Sequence, residues 1–218
     1  VHEGERIFRE RKCDILIAVG GGSPIDCAKG ISILAANGGS ILDYEGVDMI
    51  HSDGPPLICI PSTAGASADV SQFAIICDSY KKLKIAIISK KIVPDLALLD
   101  PVPLLTMDPY LTACTGMDAL THAIEAYVSN AYSDLTDVHA EEAIRLISKN
   151  IEASVQKNRT VETMYGMMMG SLNAGLAFSN ASLGAVHAMA HSLGGLTDAP
   201  HGECNSILLE HIIDVNFS

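Results

Sequence analysis

A polar, helix-prone segment from Glu3 to Lys12 runs into Ile15-Leu16-Ile17-Ala18-Val19, an unbroken apolar stretch that predicts a strand buried on both faces. Gly20-Gly21-Gly22 ends it. Ser23-Pro24 then supplies an N-cap and an N1 proline for an apolar helix extending to Ala36, which Asn37-Gly38-Gly39 closes. Short β-rich runs follow at Leu57 to Ile60, Val70 to Cys77, Leu83 to Ile88 and Leu96 to Leu99, separated by Pro, Gly and charged residues. The first half therefore reads as α/β. After Pro101-Val102-Pro103 glycine becomes sparse, and apolar residues recur at helical spacing over Pro109 to Val128, Asp134 to Ile151, Val161 to Phe178 and Val186 to Leu193. This half reads as all-helical, and a boundary near Leu105 divides residues 1–105 from 106–218.

With 48% hydrophobic and only 18% charged residues, the chain can bury a sizeable core. Its 26 acidic against 14 basic side chains give a net charge of -12, which repels phosphates and argues against nucleic-acid or anionic-membrane partners. Asp, Lys, His or Pro interrupts every apolar run before it could cross a bilayer. The six cysteines are scattered without a Cys-x-x-Cys pair and read as buried thiols of a reducing compartment, hence a cytoplasmic protein. The start at Val1 has neither Met nor a basic-then-apolar leader and reads as an interior cut.

Two loops could hold a dinucleotide. In Gly20-Gly21-Gly22-Ser23-Pro24-Ile25-Asp26, residues without Cβ atoms stand where a strand hands over to a helix, so backbone N–H groups and the helix dipole can face a pyrophosphate. The bland alternative is a tight turn, since the spacing is not G-x-G-x-x-G. Pro61-Ser62-Thr63-Ala64-Gly65-Ala66-Ser67-Ala68-Asp69 follows another buried strand and offers small hydroxyl side chains beside a ribose or diphosphate, or simply a small-residue turn. Lys84 could reach a ribose hydroxyl, although Lys81, Lys82 and Lys84 together also read as a solvated face.

The sharpest chemical signal lies in the helical half. Asp118 and His122 are four apart on a helix, as are His187 and His191, and His201 follows a proline at the start of another helix. Imidazoles without partners are costly to bury in such apolar surroundings. Together these five supply candidates for a four-ligand, nitrogen-rich and sulfur-free site suited to Fe(2+), Zn(2+), cobalt or nickel, with either His187 or His191 standing beside the ion. His2, His51, His139 and His211 are read as ordinary surface or core histidines.

The chain resembles the iron-containing (group III) alcohol dehydrogenases, within the superfamily that includes glycerol dehydrogenase and dehydroquinate synthase. The matching blocks are the Gly20 to Asp26 loop, Pro61 to Gly65, Val93-Pro94-Asp95 with Asp100-Pro101, Gly116 to Tyr127, and His187 to His191 through Pro200-His201-Gly202. The resemblance implies a dehydroquinate synthase-like fold, Rossmann-like then all-α, truncated at both ends. It implies Asp118, His122, His187 and His201 as metal ligands, and His191 as a proton relay beside substrate and nicotinamide. It further implies Gly21, Gly22, Ser23, Asp26, Ser62, Thr63 and Lys84 as cofactor contacts, with Phe178 near the active-site cleft. The implied cofactors are Fe(2+), or alternatively Zn(2+), and NAD, with NADP as its alternative. The implied activity is hydride transfer between a primary alcohol or diol and its aldehyde, in a homodimer or larger homo-oligomer. A zinc-dependent polyol dehydrogenase or lyase of the same superfamily is the enzymatic rival, and a non-catalytic binding protein that keeps the fold is the other.

Overall fold

A computed structural model describes residues 1–78, 83–197 and 199–216. It divides into two compact units, Val1–Ser62 with Ala68–Leu99, and Thr63–Ser67 with Asp100–Ser218. The passage at Leu99 to Asp100 comes ahead of the expected Leu105, and Thr63–Ser67 groups with the helical unit rather than with the loop's other half.

The first unit holds α1 (His2–Glu10), β1 (Leu16–Gly20), α2 (Gly22–Asn37), β2 (Gly46–Val47), β3 (Leu57–Pro61), β4 (Phe73–Asp78), β5 (Leu83–Ile88) and β6 (Leu96–Ala97). Two three-stranded sheets form, β1-β3-β6 and β2-β5-β4. The first is parallel throughout; in the second only β4 runs antiparallel to β5. α2 serves both. Its first turns place Ile25 and Ala28 in a core with Ala18, Leu57 and Cys59, and its later turns place Ile33 and Leu34 with Ala74, Ile85 and Ile87.

Three sequence expectations change here. β1 is buried on one face only, with Ala18 5% exposed but Ile17 and Val19 60% and 65% exposed. Its apolar run satisfies the requirement for a two-sided strand, yet among the described residues only the α2 side is covered. The helix also begins earlier than expected: Gly21 is its N-cap, with no side-chain capping bond, and Ser23 lies inside the first turn. Finally, Val70 to Gln72 is not strand, because Lys29 draws the Ser71 and Phe73 carbonyls onto its buried ammonium at 2.8 and 2.7 Å. Lys81 and Lys82 lie outside the described residues.

The second unit is built from α3 (Pro109–Tyr127), α4 (Asp134–Ser154), α5 (Val161–Ala181), α6 (Ala185–Thr197) and α7 (His201–Asn216). Side-chain caps start three of them: Asp108 accepts from the N–H groups of Tyr110 and Leu111, Ser133 from Thr136, and Thr160 from Thr163. α3, α4 and α5 pack through Ala119, Ala123, Ala126, Ala140, Ala143, Ala174 and Ala177, all fully buried. Side chains this small let helix backbones approach closely. Arg159 fixes the entry to α3 by donating to the carbonyls of Leu105 and Met107. Among the described residues no helix is long and apolar enough to cross a membrane, and every cysteine is a free thiol.

Candidate metal centre

α3 is buried around most of its circumference, so polar groups along it need partners from neighbouring helices. Asp118, His122 and Glu125 recur at helical spacing on one face, and all three are buried. α6 brings His187, also buried, and α7 brings His201 in its first residue. α7 comes this close to α3 because residue 202 is glycine: a Cβ there would collide with the Cys114 carbonyl.

Asp118 Oδ1 is the hub. The Nε2 atoms of His122, His187 and His201 stand 3.8, 3.5 and 3.7 Å from it. Tetrahedral bonds of about 2.1 Å to a common cation would set ligand atoms about 3.4 Å apart. Asp118, His187 and His201 form a set whose ligand atoms all lie within 4.8 Å of one another; His122 lies outside that set although it faces the same oxygen. Three imidazole nitrogens around one carboxylate are a donor set fit for a divalent first-row metal. Asn205, one turn after His201 on α7, points its amide nitrogen into the cluster, 2.7 Å from Asp118 Oδ1 and 3.2 Å from His187 Nε2.

Burial alone would raise the Asp118 carboxyl, but His122, His187 and His201 around it hold it well below the usual carboxylate range. Burial drives His122 down to about 3 in spite of Asp118, which leaves its ring neutral. His187 is pushed up to about 9, because hydrogen bonds to Asp118 and Glu125 on either side outweigh its burial. A cation that takes His187 Nε2 displaces the proton that these two carboxylates favour there.

The rings stack in two layers. His122 lies between Phe178 and His187, with centroid distances of 4.3 and 4.4 Å. His191 lies against His201 at 4.7 Å and 6.3 Å from His187, beside the cluster rather than within it. Glu125 and Asn205 are the polar residues that sequence reasoning passed over. Their signal was spacing: Glu125 continues the Asp118–His122 face of α3, and Asn205 sits one turn from His201.

In the first unit, Gly20 and Pro61 are register partners at the ends of β1 and β3, and Ser62 N–H donates to Gly20 O at 2.9 Å. The two expected cofactor loops thus leave the C-terminal ends of neighbouring parallel strands, with Gly21, Gly22 and Ser23 opening α2 there. Asp26 does not face outward as expected. It is buried, and its Oδ2 accepts from Ile75 N–H at 3.1 Å, which ties α2 to β4. Thr63 belongs to the segment counted with the helical unit, and Lys84 is exposed on β5, in the other sheet from β1 and β3.

The family model for iron-containing alcohol dehydrogenase matches residues 1–101, and that for the C-terminal part of the Fe-containing alcohol dehydrogenase family matches residues 112–218. The chain belongs to the iron-containing alcohol dehydrogenases. Among members of this family, it is 47% identical over 216 residues to alcohol dehydrogenase 4 of Schizosaccharomyces pombe, covering 99% of this chain and 51% of that one. A crystal structure of 1,3-propanediol oxidoreductase superposes with a TM-score of 0.94 at 43% identity, covering 97% of this chain and 55% of that chain. The sulfoacetaldehyde reductase of Bifidobacterium kashiwanohense, solved in complex with NAD+, superposes at 0.93 with 30% identity, covering 99% and 57%. The chain spans about half the length of the curated relatives it matches.

Proposed function

We propose that the protein to which this chain belongs interconverts a primary alcohol or diol with its aldehyde, using a divalent metal, iron foremost and zinc as the alternative, and NAD or NADP as hydride acceptor. What carries the proposal is the convergence of three imidazole Nε2 atoms, at 3.8, 3.5 and 3.7 Å, on the single oxygen Asp118 Oδ1. Asp118, His122, His187 and His201 would hold the cation, which when bound supplies Lewis-acid polarisation of the substrate oxygen.

The chain's own residues do the rest. Asp118, kept ionised, balances positive charge inside a buried pocket. Phe178, stacked on His122, fixes that ring and keeps water from its outer face. His191, half-buried and stacked on His201, is placed to carry a proton between the substrate hydroxyl and solvent. In the first unit, the opening turn of α2 offers the backbone N–H groups of Gly22 and Ser23, uncapped by any side chain, to the pyrophosphate, beside Ser62, whose own N–H donates to Gly20 O; Thr63 and Lys84, the latter for the ribose, are the remaining cofactor contacts of the proposal. Cytoplasmic residence, supported by the free thiols, and assembly as a homodimer or larger homo-oligomer complete the proposal.

The test is the full-length protein purified without added ions, analysed for metal, then assayed for NADH absorbance with a panel of primary alcohols and diols. Stoichiometric metal with turnover is expected. A protein that binds metal and cofactor yet turns over no alcohol would instead be a binding module.

A further inference from the structure

Glu125 is 3% exposed and takes part in no step described above. It lies on the far side of His187 from Asp118. Its Oε2 accepts from His187 Nδ1 at 2.6 Å, and its Oε1 accepts from the Val186 backbone N–H at 2.7 Å. The backbone N–H of His187 also points to Oε2, at 3.4 Å. One carboxylate from α3 therefore holds both the first turn of α6 and the ring that α6 presents to the cluster. The space for it is kept by Gly184, where a Cβ would stand 2.7 Å from Oε1 and 3.2 Å from Cδ.

We infer that Glu125 is the positioning residue of the metal centre: it holds His187 in the Nδ1–H tautomer with its Nε2 lone pair turned to Asp118 and the cation. The inference rests on the metal-site reading given above. The physical grounds are independent of it. An ionised carboxylate can only accept, so the Nδ1 atom it faces must carry a proton, which leaves Nε2 as the ring nitrogen that gives its lone pair to a cation once any proton there is displaced. Two oxygens bonded to two different groups of the same helix turn leave the ring no freedom to rotate about its axis. A carboxylate partner also raises the basicity of the opposite ring nitrogen.

The same geometry says what substitution does. In Glu125→Gln one oxygen becomes an NH2 group. If the remaining oxygen keeps the Val186 N–H, the NH2 faces His187 Nδ1, makes that atom the acceptor, and moves the ring proton to Nε2, where it blocks the cation. The backbone cap and the packing survive. In Gly184→Ala the carboxylate itself is displaced, while its chemistry is kept.

The experiment is a Co(2+) titration of the metal-stripped full-length protein, read by chelator competition and by the visible Co(2+) spectrum, with the thermal midpoint of the metal-free form measured alongside. Glu125→Gln and Gly184→Ala are expected to weaken Co(2+) binding by about 10- to 100-fold and to alter its spectrum. The metal-free thermal midpoint of Glu125→Gln should stay close to the wild type, and Glu142→Gln on the exposed face of α4 serves as the control that changes nothing. If wild type binds one Co(2+) and Glu125→Gln binds it equally well with the same spectrum, the positioning role is overturned and the metal site stands. If wild type binds no Co(2+), the metal site falls and the inference with it. If affinity drops only in proportion to a lowered thermal midpoint, with an unchanged spectrum, Glu125 is a helix cap and the inference fails.

Discussion

His122 lies face to face with Phe178, ring centroids 4.3 Å apart and planes inclined by 20°. The pair joins α3 to α5, and Phe178 is itself almost fully buried. Phe178→Ala should cost about 3–5 kcal/mol in urea denaturation, through lost burial and the void left against the imidazole. Phe178→Leu should recover most of that stability while leaving His122 without its stack, so its metal affinity should fall further than its stability. A Phe178→Ala variant as stable as wild type would mean that the stack does not hold the helices.

His201 supplies a ligand atom from the first residue of α7 and is the least enclosed of the proposed ligands. His201→Ala in the full-length protein is expected to lose both bound metal and turnover, because a three-ligand remnant would hold the cation weakly. Elemental analysis after purification without added ions decides this, and full metal content with normal turnover would remove His201 from the ligand set.

Ser23 stands exposed in the first turn of α2, where a negative side chain suits the helix dipole but opposes a bound diphosphate. Ser23→Asp should therefore leave the thermal midpoint unchanged or slightly raised, while weakening NADH binding about tenfold or more. Fluorescence titration of NADH measures it. Unaltered binding would place the cofactor elsewhere.

A buried pair in the first unit makes stability depend on pH with two opposite slopes. Burial holds Asp26 up at about 6 against its ordinary 3.8, with Lys29 and the Ile75 N–H opposing the shift. Between those values the unfolded chain has released a proton that the folded one keeps, so stability falls as pH rises. Burial likewise holds Lys29 down at about 8 against 10.5, so between these values the unfolded chain carries the extra proton and stability rises with pH. In a pH series of urea midpoints, Asp26→Asn should flatten the acid limb and Lys29→Met the alkaline one. Limbs that persist in both variants would assign the dependence to other groups.

Much of this architecture was legible because local signals agreed with one another. The helical runs beginning at Pro109, Asp134 and Val161 start where the structure starts its helices, and the strands at Leu57 and Leu83 begin where the apolar runs begin. Spacing and residue type brought out five candidates, Asp118, His122, His187, His191 and His201; that His187 and not His191 is a ligand was implied by the family resemblance, and the structure gathers Asp118, His187 and His201. What stayed hidden depends on which element lies opposite. The run at Ile15 to Val19 carries no mark that only one of its faces is covered, and glycine at 21 caps α2 although Ser23 is the better capping residue by type. Asp26 was read from its motif as facing a ligand, while its partner, the Ile75 N–H, is far along the chain. Glu125 shares a helix face with two proposed ligands, but its bond to His187 exists only once α6 has docked.

Ser67 Oγ donates to the Ser171 carbonyl on α5 at 2.7 Å, which anchors the short segment Thr63–Ser67 among the helices although its neighbours on both sides belong to the first unit. The two units are thus interleaved along the chain, not laid end to end. No single scission liberates either one intact, and anyone transplanting the helical part onto a foreign partner must carry this pentapeptide with it as a separate insert.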